Sequence, residues 1–157
     1  MRVEEDSMES VRSSENIVHR PQVSLALAQQ LLVQVKLSAE ERGVELGAVV
    51  VDVGGNVVAS ARMDGAQLGA MGLAADKAFT AVSFGYPTSR WTNSSGPGGP
   101  DWGLAATFGG RIVVIPGGVP VFHEGVLVGG LGVSGAAAAV DEACAKEALA
   151  VVGLETP

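Results

Sequence analysis

Apolar residues recur at helical spacing in three segments and crowd into short valine-rich blocks between them. Ser24 is placed to cap a helix that runs to about Arg42, with Leu25, Ala28, Leu32, Val35 and Ala39 on one face. Gly43 ends it. The block from Leu46 to Val53 reads as a buried strand, Gly54-Gly55-Asn56 as a turn, and Val57 to Met63 as the returning strand of a hairpin. A second helix is predicted from about Gln67 to Phe84. Leu68, Met71, Ala75, Ala78, Phe79 and Val82 line its face, and Gly85 and Pro87 stop it. The stretch from Thr88 to Phe108 shows little periodicity and contains Gly96-Pro97-Gly98-Gly99-Pro100. A loop of that length in a compact domain is usually functional or an interface element.

Three strands are predicted after it: Arg111 to Ile115, Val119 to Phe122, and Val126 to Val133. Pro116-Gly117-Gly118 and Glu124-Gly125 form the turns between them. A last helix, from about Ala137 to Val152, turns Val140, Cys144, Ala148 and Val151 inward. The order is α-β-β-α-β-β-β-α. Its tight turns imply antiparallel pairing, and the class is α+β with a five-stranded sheet flanked by helices. Residues 1–16 are acidic and Ser-rich and are expected to be a flexible tail ahead of a single domain over 17–157.

Composition narrows the function classes. With 47% hydrophobic and 17% charged residues, the chain is globular rather than disordered. A net charge of -7, with no Lys/Arg cluster, excludes a nucleic-acid partner and disfavours an anionic membrane surface. There is no apolar run long enough to span a bilayer. Cys144 is the only cysteine, so no intrachain disulfide forms. The N-terminal segment lacks the apolar core of a secretory signal, so a cytoplasmic location is expected.

Gly130-Leu131-Gly132-Val133-Ser134-Gly135 matches G-x-G-x-x-G between a strand and a helix. A dinucleotide site needs a further parallel strand after that helix, and the sequence leaves no room for one. The glycines read instead as a strand packed closely on its neighbours, with anion binding at the helix N-terminus as a residual option. The spacing around Ser134 does not make a nucleophile elbow.

Several motifs, in order, carry a resemblance over about Ser24 to Val152. They are Ala48 to Asn56 with its Asp52-Val53-Gly54-Gly55-Asn56 end, Arg62-Met63-Asp64-Gly65-Ala66, Asp76-Lys77-Ala78, and Phe84-Gly85-Tyr86-Pro87-Thr88-Ser89. Gly109 to Pro120, Gly129 to Gly135 and Asp141-Glu142 complete the pattern. The chain resembles the GlcG/HbpS-like family, which includes the C-terminal domain of PduO-type proteins. The resemblance implies a profilin-like fold, a homo-oligomer with sites at subunit interfaces, and a small-molecule ligand. Some relatives bind heme. Others act in aromatic-compound catabolism as small lyases or deaminases on hydroxylamino- or amino-aromatic acids.

The candidate site residues follow from both readings. A heme site needs an apolar slot and usually an axial ligand. His123, beside Phe122 at a strand end, and His19, just before the first helix, are the candidate iron ligands; each also reads as an exposed polar residue. Lys77 and Arg111 are the candidate partners of a carboxylate, such as a heme propionate. With His123 they are also the catalytic candidates of the lyase reading. Arg62, Asp64, Phe84, Tyr86 and Phe108 complete the predicted ligand-binding set, with packing or simple ion pairing as the alternative for each. Trp91 and Trp102 bracket the glycine-proline loop, either as pocket wall or as an anchor against another subunit. Cys144, on an apolar helix face, reads as core. No Cys/His group has zinc spacing.

Overall fold

The computed structural model describes residues 16–155; the segment 1–15, where the sequence predicts most of the tail, lies outside the described residues. Helix α1 (Leu25–Arg42) starts where predicted. The Ser24 side chain accepts from the Leu27 N–H at 3.2 Å, a cap worth about 1 kcal/mol. Gly43 closes the helix at φ 64, a left-handed position that suits glycine. The buried stripe is Ala28, Leu31, Leu32, Val35, Ser38 and Ala39. Leu25 points out at 55% exposure, and Leu31 takes its place in the core.

Strands β1 (Gly47–Val51) and β2 (Val57–Arg62) form the expected hairpin. Its turn is fastened by Asp52, whose Oδ1 accepts the backbone N–H groups of Gly54 and Asn56, each at 2.9 Å. The Asn56 backbone bond chiefly, then the Asn56 side chain and the Gly54 N–H, hold the Asp52 carboxyl below its ordinary range. Helix α2 (Ala70–Phe84) begins three residues later than predicted, and Leu68 is 90% exposed. Gly85 ends it at φ 70. Strands β3 (Gly118–His123) and β4 (Val126–Ser134) form a second hairpin, and α3 (Ala138–Val151) completes the fold.

The sheet has four antiparallel strands in the order β2-β1-β4-β3. The fifth strand expected from Arg111 to Ile115 is absent. That segment is buried at Ile112 and Val113 but joins no ladder. Threonine hydroxyls satisfy its backbone instead. The Val113 N–H donates to Thr80 Oγ1 at 3.0 Å, and the Val114 and Ile115 carbonyls accept from Thr92 and Thr88 at 3.1 and 2.6 Å. Replacing Thr80 by valine keeps the shape but leaves a buried N–H unpaired, and is expected to cost about 1–3 kcal/mol in urea unfolding.

β1 is buried along its whole length because helices cover both faces. Ala48 and Val50 join Leu131, Val133, Val119 and Val121 beneath α1 and α3. Val49 and Val51 face Ala74, Ala78 and Val82 of α2. On that second face Gly118, Gly130 and Gly132 leave a groove that receives the α2 backbone. The glycine motif serves helix–sheet packing, as the sequence reading holds. α1 and α3 are clamped together by Arg42, which binds Glu147 through two nitrogens, while Ser38 donates to the same carboxylate at 2.6 Å. Those bonds, Arg42 first and then Ser38, lower the Glu147 carboxyl below its ordinary range. Among the described residues no helix is long and apolar enough to cross a membrane.

Candidate functional site

The end of α2 and the irregular segment after it assemble a continuous wall of rings. Phe79 meets Phe108 edge-on at 5.9 Å between centroids, and Phe108 meets Phe84 at 6.4 Å. Phe84 meets Trp91 at 5.1 Å, and Trp91 meets Tyr86 at 6.3 Å. Such edge-to-face geometry satisfies the ring quadrupoles. A guanidinium stacks at each end of the wall: Arg111 lies 3.8 Å over the Phe79 ring and Arg90 lies 4.0 Å over the Tyr86 ring. Phe108 sits at φ 51, an uncommon conformation for a bulky side chain, and is 59% exposed. Trp91 is buried, whereas Trp102 is 63% exposed and takes no part in these ring contacts.

Behind one end of this wall lies a cleft of about 620 Å³. Arg20, Val82, Phe84, Tyr86, Phe122 and Leu127 line it, so it draws on the approach to α1, the end of α2 and the β3–β4 hairpin. Its size falls within the range of small-molecule sites. His19 and His123 are both exposed and are the chain neighbours of two lining residues, Arg20 and Phe122. The fold therefore places two of the predicted ligand-binding residues, Phe84 and Tyr86, in the lining of one cleft, while the two histidines are chain neighbours of lining residues and not part of the lining.

The other predicted residues lie elsewhere. Phe108 and Arg111 belong to the ring wall, where Arg111 Nε also bonds Asp76 Oδ1 at 3.1 Å. Arg62 and Asp64 line a separate cleft of about 440 Å³ against α1, together with Lys36, Glu40, Glu45 and Met63. Lys77 is 2% exposed. Its ammonium donates to the Val133 carbonyl at 3.0 Å, to Ser134 Oγ at 3.4 Å and to Asp141 Oδ2 at 3.0 Å. Asp141, equally buried, accepts the Ala136 N–H on its other oxygen at 3.0 Å. Cys144 is fully buried in the core between α1 and α3.

Two cations, Arg20 in the cleft lining and Arg90 on the Tyr86 ring, were not singled out from the sequence. Arg20 carries no motif, and its only signal is its place between His19 and Pro21. Arg90 follows the matched Phe84 to Ser89 segment by one residue, and its stacking on Tyr86 is visible only in three dimensions. Among the described residues no group of three or more His, Cys, Asp or Glu side chains is arranged to hold a bare metal ion. A heme iron asks less of the protein, because the porphyrin supplies four nitrogens and the chain needs to add an axial group.

Known proteins resemble this chain over most of its length. Corrinoid adenosyltransferase PduO of Citrobacter freundii is 32% identical over 157 residues, which is 99% of this chain but 46% of PduO; the chain thus spans about half the length of that relative. The crystal structure of Klebsiella pneumoniae protein ORFY has a TM-score of 0.84 and 34% identity, covering 91% of this chain and 100% of that one. A crystal structure of a PduOC:heme complex has a TM-score of 0.82 and 30% identity, covering 86% of this chain and 98% of its own. Residues 23–150 match the model of the family described as haem degrading protein HbpS-like, and the chain belongs to the HbpS-like family.

Proposed function

We propose that this chain binds heme, or a similarly flat carboxylated molecule, in the cleft beside Phe84, Tyr86 and Phe122. The observation that carries the reading is the meeting of the aromatic residues Phe84, Tyr86 and Phe122 with Arg20 at one cleft of about 620 Å³, two of whose lining residues have a histidine as chain neighbour. The similarity to a structure solved with heme supports it. When bound, heme supplies a redox-active iron. The chain supplies aromatic faces, an axial imidazole from His123 or His19, and cations for the propionates.

Arg111 is the cation at the Phe79 end of the ring wall, held by Asp76 through its Nε. Lys77, assigned to the same role from the sequence, would have to break its bond to Asp141 to reach a ligand. In this proposal it is a strut rather than a ligand contact, while Arg62 and Asp64 belong to the second cleft. The site stands at a subunit boundary of a homo-oligomer: Phe108 and Trp102 are 59% and 63% exposed, and a second copy would cover such apolar area. In the lyase reading, Arg111 would hold an aromatic carboxylate while Asp76 or His123 moved the proton. The relatives' names lend that chemistry no support, and the heme reading stands first.

Titration of the purified protein with hemin, followed by absorbance, tests the proposal. The expected result is a saturable Soret shift that is lost in one of His19→Ala and His123→Ala and kept in the other. A weak, non-saturating change, equal in both variants and the parent, would overturn it.

A further inference from the structure

Lys36, Arg42, Lys77, Arg111 and Lys146 are each held in an ion pair with a carboxylate. The other described cations are Arg20, Arg62 and Arg90, none of which makes an ion pair with any of the described residues. Two of these three lie at residues of the aromatic cleft. Arg20 lines it directly. Arg90 is outside the lining but adjoins it through Tyr86, a lining residue that carries the Arg90 guanidinium 4.0 Å over its ring. Both arginines are exposed, and no acidic side chain lines the cleft.

This placement runs against the character of the chain, which carries a net charge of -7. Elsewhere, Arg62 apart, its acids pair with its described cations; here two guanidiniums without carboxylate partners adjoin the faces of Phe84, Tyr86 and Phe122. Stacking on Tyr86 fixes the plane of Arg90 and leaves its edge, with the N–H donors, open to a planar acceptor. Guanidinium edges recognise carboxylates in pairs of parallel hydrogen bonds, and they do so more strongly next to an apolar wall than in open water.

We propose that Arg20 and Arg90 form a carboxylate clamp that selects, for this cleft, flat ligands bearing two carboxylates. The proposal rests on the cleft being the ligand site. It assigns anion recognition to two residues distinct from Lys77 and Arg111, whose charges are already met within the chain. The clamp fixes the edge of the ligand, while the rings fix its plane.

The test uses metal-free protoporphyrin IX and its dimethyl ester, read by quenching of tryptophan fluorescence, so that no iron ligation is required. Arg20→Gln and Arg90→Gln keep polar side chains and remove the charge. The parent is expected to bind the diacid at least tenfold more tightly than the diester. Each single variant should lose about five- to twentyfold for the diacid, the double variant more, and none should change for the diester. Equal binding of diacid and diester by the parent, or diacid binding unaffected by either substitution, would overturn the clamp. So would failure of the parent to bind either porphyrin. The heme reading is separable: a hemin Soret shift that depends on a histidine but not on Arg20 or Arg90 keeps heme binding and removes the clamp. Charge-dependent binding of the metal-free diacid with no histidine-dependent hemin shift keeps the clamp and removes iron ligation.

Discussion

Replacing Lys77 with methionine is expected to destabilise the fold by about 3–5 kcal/mol, the usual consequence of removing one partner from a buried ion pair. Methionine fills much of the space of the lysine stem, so little of the loss would come from a cavity. The loss arises because the Asp141 carboxylate, 2% exposed, is left without its 3.0 Å partner. Lys77 also joins three elements at one point. Its ammonium, carried on α2, reaches the Val133 carbonyl and Ser134 hydroxyl at the end of β4 and Asp141 in the first turn of α3. Thermal unfolding would register the loss as a fall in Tm of roughly 10 °C.

The double variant Lys77→Met with Asp141→Asn separates charge from shape. Asparagine keeps an oxygen to accept the Ala136 N–H and removes the unpaired charge, so the double variant should recover at least half of the single variant's loss. Equal stability of the parent and Lys77→Met would show that the ammonium is not enclosed as described. A double variant no more stable than Lys77→Met would place the loss in packing rather than charge.

The sequence announces the helix ends because capping chemistry is local. Ser24, Gly43 and Gly85 each act on backbone groups within four residues of themselves. The two hairpins are legible for the same reason. The segment from Arg111 to Ile115 is misread because a short run of buried β-branched residues looks like a strand whether or not a ladder receives it. What decides the matter is Thr80, whose hydroxyl takes the N–H of Val113, thirty-three residues away. Lys77 is opaque in the same way. Its alanine-rich surroundings say that apolar surface is near, but its acid lies on the last helix. Of the candidate site, the sequence offers single residues but not their grouping in space. Phe84 and Tyr86 adjoin in sequence and share the cleft, while Arg62 and Asp64 belong to another face altogether. Charge gave no guide to Arg20 and Arg90, since an arginine without a carboxylate is recognised only after every other cation has been matched.

Gly132→Ala is expected to be among the most damaging small changes in the chain. Gly132 sits opposite both Val49 and Gly118, in the middle of the sheet, with α2 lying across it. A Cβ built there overlaps the Ala74 carbonyl oxygen and comes within 2.6 Å of the Ala78 nitrogen. Both are backbone atoms of a helix, so no side chain can rotate to make room. α2 must lift away from the sheet, and cores resist such overpacking at about 1–3 kcal/mol or more. The upper end applies here because the obstacle is backbone, and Gly132→Val should be worse. Gly72→Ala is the matching control. Gly72 lies on the same helix with open space where a Cβ would go, and alanine there should raise stability by about 0.5–1 kcal/mol. Urea unfolding of the three variants against the parent measures these differences. The displacement also reaches the cleft, because α2 carries Phe79 and Phe84 into the ring wall. Gly132→Ala should therefore weaken porphyrin binding where it still folds, while Gly72→Ala leaves it intact. Parent-like stability and binding in Gly132→Ala would mean that α2 does not rest on the glycine groove, and that the G-x-G-x-x-G spacing is not there to seat the helix.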